Sequence, residues 1–92
     1  MAVERLIFRV HALQRMAQRG ISVEDVRQIL ETGEVIEDYP DDFPYASALV
    51  LGRIGGRALH VVVASTPAEK IVITVYEPDP ARWDADLKRR KP

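Results

Sequence analysis

The pair Gly55-Gly56 stands between two apolar runs, residues 46–54 and 57–65, and restricts the fold more than any other feature of the chain. Two glycines can both take positive φ, as a two-residue hairpin turn that matches the twist of its strands requires. The turn also sets the register. Ile54 faces Arg57, Gly52 faces Leu59, Leu51 faces His60, and Val50 faces Val61. Side chains alternate along a strand, so Ala48, Val50, Leu59, Val61 and Val63 share one face, and Leu49, Leu51, Arg53, His60 and Val62 share the other. Both faces are largely apolar near the middle, which puts the hairpin in the centre of a sheet.

Upstream, residues 11–33 read as two short helices broken at Arg19-Gly20-Ile21. Ala12, Leu13, Met16 and Ala17 have the spacing of one buried helical face, with Gln14, Arg15, Gln18 and Arg19 on the other side. Gly20 suits the left-handed residue that follows a helix. Ser22 is an N-cap with Asp25 in capping-box position, Ile21 and Val26 can form the hydrophobic staple, and Gly33 ends the second helix. Residues 5–10 read as a short strand leading into the first helix, 34–39 as a strand, 40–44 as a loop and 71–77 as the last strand. Asp79 and Pro80 open a short C-terminal helix, which docks Trp83 and Leu87 on the sheet. Residues 88–92 form a frayed basic tail. The whole is one α+β domain over residues 1–92: two N-terminal helices packed on a four-stranded, mainly antiparallel sheet, then a short C-terminal helix.

The chain has no cysteine, which removes disulfides, thiolate metal sites and a cysteine nucleophile. Glu4, Arg5 and Arg9 interrupt the N-terminal apolar run, and no run approaches the ~18 residues of a membrane span. A cytoplasmic protein with no membrane contact is expected. The net charge is −1. Residues 34–46 hold five acids and no base, so the remainder of the chain is slightly basic. The second helix presents Glu24, Asp25, Gln28 and Glu31 with only Arg27 basic, a poor recognition helix for DNA.

His11 and His60 are the only histidines, and so the only side chains whose ordinary pKa lies near neutrality. His11, Arg15 and Arg19 recur every four residues and stack along one helical stripe. An imidazole above two guanidinium groups is a phosphate site in residue type; it is equally an ordinary solvated helix face. Cleavage of RNA by its own 2′-hydroxyl needs a base, an acid for the leaving oxygen, and cations for the charge that develops on phosphorus. His11, His60, Arg15, Arg19 and Tyr76 supply those groups. The scheme requires the two imidazoles within about 7 Å of each other, two residue lengths at strand rise. The two histidines have no metal-ligand spacing, and neither a metal nor a cofactor is expected.

HALQRMAQRGIS followed by VEDV, then GGRALHVVVA, then IVITVYEPDPARWD, resembles a family of small bacterial domains of unknown function often encoded beside a zinc-finger antitoxin. The likeness runs from about Phe8 to Trp83. It implies membership of the RelE-like toxins, with the barnase–EndoU–colicin–RelE fold. It further implies a metal-independent endoribonuclease of a type II toxin–antitoxin pair, with a cognate antitoxin and RNA, ribosome-bound mRNA included, as partners. His11, Arg15 and Arg19 then match the helix motif, His60 the hairpin histidine and Tyr76 the last-strand tyrosine. RelE-type toxins are usually clearly basic, whereas this chain is close to neutral. The alternative is a non-catalytic protein-binding module of the same fold, docking a partner through the acidic 34–46 segment or a sheet edge; a homodimer is also allowed.

Overall fold

In the computed structural model, which describes residues 5–92, the Gly55-Gly56 turn closes the hairpin in the register given above, from Ile54↔Arg57 to Ser47↔Ala64. Both glycines have positive φ, 56° and 84°. The elements in chain order are β1 (Arg5–Phe8), α1 (Val10–Arg19), α2 (Val23–Thr32), β2 (Glu34–Tyr39), β3 (Ser47–Ile54), β4 (Arg57–Ser65) and β5 (Glu69–Tyr76). The sheet order is β1-β5-β4-β3-β2, so the hairpin strands β3 and β4 are flanked on both sides.

The α+β class holds, but two parts of the expected architecture are corrected. The sheet has five strands rather than four and is mixed: β1 pairs with β5 in parallel, from Arg5↔Glu69 to Phe8↔Val72. A parallel pair cannot be joined by a tight turn. Here the two partners are separated by both helices and three strands, so no local turn signal announces the pairing. The second correction is at the C-terminus, where no helix forms. The chain makes one turn, with the N–H groups of Arg82 and Trp83 both donating to the Asp79 carbonyl. It then folds back on itself. Leu87 takes φ 63°, which no right-handed helix can accommodate. Trp83 bridges to Arg90, and the segment 79–92 lies as a strap across one face of the sheet.

Both helices pack on the opposite face, α1 against β5 and α2 against β3 and β4. Ala12, Met16, Val26 and Ile29 meet Val50, Leu59, Val61, Val72 and Val75 there in the main core. The alternation along β4 then fixes the other face: Leu59 and Val61 point to the helices, so His60 between them points to the strap. Gly20 ends α1 with φ 65°. Ser22 and Asp25 form the reciprocal capping box at the start of α2, both hydrogen bonds at 3.0 Å. Ile21 and Val26, either side of the cap, are buried. Ser22→Ala should therefore cost about 1 kcal/mol, read from urea unfolding with an unchanged m-value. Among the described residues no helix is long and apolar enough to cross a membrane.

Candidate functional site

The five candidate side chains divide between the two faces of the sheet. His11, Arg15 and Arg19 lie on α1 and are exposed. Residues 5–19 carry four arginines and no acid, so this helix face is cationic although the whole chain is not. Among the described residues, His11 and Arg15 make no ion pair or side-chain hydrogen bond. Arg19 is more constrained. Its Nη1 is 3.8 Å from Glu77 Oε1, and Arg57 Nη2 sits 2.7 Å from the same oxygen while also donating to the Arg19 carbonyl at 2.9 Å. Arg57 thereby ties the hairpin to the C-terminal end of α1. Its hydrogen bond holds the Glu77 carboxyl below the ordinary carboxylate range. Val10 and Leu13 stay exposed along the other flank of α1, at 70% and 44%.

His60 and Tyr76 meet on the far face. They are register partners on β4 and β5, and His60 is fully buried. The imidazole Nε2 lies 2.9 Å from the Leu87 carbonyl and Nδ1 lies 3.2 Å from the Tyr76 hydroxyl. A carbonyl only accepts, so Nε2 carries the proton and Nδ1 accepts from the phenol. Trp83 stands edge-on to the ring at 4.5 Å between centroids. Burial pushes the His60 imidazole below its ordinary range; the Leu87 carbonyl and the Glu37 carboxylate pull the other way with less effect. Burial also raises the Tyr76 phenol.

Three residues beside this pair were missed in the sequence. Glu37 and Tyr39 alternate onto the same face of β2 and are hydrogen-bonded to each other. Arg90 donates to both Glu37 carboxylate oxygens, at 3.0 and 3.2 Å, and lies over the Trp83 ring at 4.8 Å. That contact holds the Glu37 carboxyl below its usual range and raises the arginine. The Glu37-Asp38-Tyr39 run, with Glu37 and Tyr39 two apart on a strand, could have signalled that they share a face. Nothing in a run of basic residues at the chain end distinguishes Arg90 from Arg89. Lys88 is also engaged, 2.9 Å from Glu34, and Lys91 N–H donates to the Arg82 carbonyl, so this basic segment is tied down rather than frayed as expected.

The sheet therefore stands between His11 and His60, and the two imidazoles do not share a pocket. What α1 offers is an open row of cations beside one imidazole. What the far face offers is a closed array in which, among the described residues, no buried side-chain polar atom lacks a partner. Among the described residues no group of three or more His, Cys, Asp or Glu side chains could hold a metal ion.

A family described as a domain of unknown function, DUF4258, matches residues 8–77, well over half of the chain. The chain belongs to that family. The DUF4258 match begins at the end of β1, takes in α1, α2 and β2–β5, and stops at Glu77, before the strap. No curated protein and no solved structure matches the chain.

Proposed function

We propose that this DUF4258 protein acts on RNA as the toxin-like member of a cytoplasmic toxin–antitoxin pair, and that it engages the sugar–phosphate backbone through α1. One observation carries the reading. The exposed side of α1 presents His11, Arg15 and Arg19 on one stripe, in a fifteen-residue stretch, residues 5–19, without a single acid. Guanidinium groups match phosphate oxygens in geometry as well as charge. Chain-wide neutrality does not oppose this, because residues 34–46 hold five acids and no base, which leaves the rest of the chain net basic.

Cleavage by the 2′-hydroxyl, which the family resemblance implies, would use the groups on this side. His11, the one imidazole on this side, would take the proton of the 2′-hydroxyl, solvent water would supply one to the leaving 5′-oxygen, and Arg15 and Arg19 would face the charge on phosphorus. His60 and Tyr76 take no part from under the strap. A second reading, docking of a protein partner such as an antitoxin, is favoured by the exposed Val10 and Leu13, which give α1 an apolar flank beside its cations.

The test is binding of a fluorescently labelled single-stranded RNA across a salt series. Two to three phosphate contacts give a slope of log K against log[salt] between about −1.4 and −2.1. Absence of binding at about 50 mM salt, or binding with a flat salt dependence, overturns the RNA reading and leaves the docking one. Incubation in excess chelator, with His11→Ala beside the parent protein, then separates cleavage from binding.

A further inference from the structure

We propose that residues 79–92 are a releasable strap, which leaves the outer face of the sheet as one unit in mild acid while the helices and all five strands stay folded. Its attachments carry the argument. The backbone hydrogen bonds of the strap close within it: Arg82 and Trp83 to Asp79, Asp84 to Arg89, Leu87 to Asp84, and Lys91 to Arg82. Such a segment keeps its own shape on leaving and gives up no ladder hydrogen bonds of the sheet.

Its polar ties to the sheet all run through side chains. His60 donates to the Leu87 carbonyl, Lys88 pairs with Glu34, and Arg90 pairs with Glu37. The two ion pairs are solvent-accessible, of the kind that salt weakens. Trp83, packed edge-on against His60, supplies the apolar hold. The family match ends at Glu77, before this segment begins. Peripheral units of this kind open below the free energy of global unfolding.

Acid favours the open form for a reason visible in the site. The groups facing His60 are Tyr76 on β5, Glu37 and Tyr39 on β2, and Arg90 with Trp83 on the strap itself; β3 brings only the apolar Leu51 opposite. In the closed form His60 lies in a buried setting that disfavours the cation and holds its imidazole below the ordinary range. Once the strap leaves, the ring meets water and takes up a proton near its ordinary value of about 6.5. The open form binds more protons, so opening is favoured progressively as pH falls below that value. Glu37 adds to this at lower pH, because release from Arg90 returns its carboxyl to the ordinary range. Tyr39 and Tyr76 remain phenols throughout, and Arg90 remains a cation that opposes charge on His60 while closed.

Trp83 is the only tryptophan and is buried in the closed form, so its emission reports the strap directly. Titrating the full chain from pH 8 to pH 5 should move that emission to the red. Acrylamide quenching should rise several-fold as the pH falls below about 6.5, while the far-UV circular dichroism stays constant. Glu37→Gln, which weakens the hold of Arg90, should move the midpoint to higher pH, and His60→Gln should abolish the step. If Trp83 stays shielded until the far-UV signal is lost with it, strap and domain are a single unit and the proposal is wrong. A folded His60→Gln protein that keeps the parental step would also overturn it. Should His60→Gln not fold, the parent titration and Glu37→Gln decide the question.

Discussion

Reversing the two guanidinium groups of α1, as Arg15→Glu with Arg19→Glu, should lower RNA affinity by more than about 100-fold. Each is expected to make one charge-assisted phosphate contact worth roughly 1.5 kcal/mol, and two such contacts amount to about 3 kcal/mol. The salt slope should flatten by about 1.4, since two fewer phosphates are neutralised on a single strand. Net charge falls by four in this variant, so the comparison must be with a protein of equal charge. Arg27→Glu with Arg82→Glu serves: Arg82 is exposed and Arg27 half-buried, each sits beside its own acid, and neither is on α1. That control should lose only the modest long-range part of the attraction. Equal losses in the two doubles would remove α1 as the contact surface. Arg19→Glu also places a second carboxylate near Glu77 and an anion at the C-terminal end of α1, where the helix dipole disfavours it. A thermal melt of each protein keeps that structural cost apart from the binding loss.

The parts of the fold that were legible in the sequence are those fixed by neighbours in the chain. Gly55-Gly56 sets a register over sixteen strand residues because a two-residue turn leaves no alternative pairing. Ser22 and Asp25 mark the start of α2 because the cap is a contact between residues three apart. The pairing of β1 with β5 has no such local cause. Leu6 and Ile7 look like strand residues, but nothing near them names Lys70 and Ile71 as partners. The C-terminal segment misleads for a related reason. Asp79 and Pro80 are a sound helix start, and Trp83 and Leu87 have helical spacing, yet Glu34 and Glu37 on β2 attract Lys88 and Arg90 and hold the chain flat across the sheet. Of the candidate site, the α1 stripe was legible because it is periodic within one helix. The alternation along β4 already set His60 among Leu49, Leu51 and Val62, an apolar setting, but what covers that face depends on residues 23 or more positions away.

Glycine shows how a correct local reading can miss the physical cause. Gly33 ends α2 as expected, but its φ of −76° is open to any residue. Space is what excludes a side chain there: a Cβ would stand 2.5 Å from the Ile29 carbonyl oxygen and 2.6 Å from that of Leu51. Gly52, in the middle of β3, carries no turn at all. A Cβ there would meet Ile29 Cγ1 and Cγ2, each at 2.7 Å. This is the point at which α2 rests on the sheet, and Ile29 is fully buried. A β-branched side chain cannot swing aside within a helix, because χ1 is restricted to essentially one rotamer. Gly52→Ala should therefore cost about 1–3 kcal/mol by overpacking, and Ile29→Ala about 2–5 kcal/mol by leaving a cavity. The two defects are complementary, since the methyl group added at Gly52 enters the space that Ile29 vacates. The double variant should be more stable than the sum of the single losses predicts, with a coupling of about 1 kcal/mol or more, within the range seen for residues in contact. Urea unfolding of the four proteins of the cycle measures it. Strict additivity would mean that α2 lifts off β3 in the Gly52 variant rather than straining against it, and that the helix layer is held to the sheet less firmly than the packing of Ile29 implies.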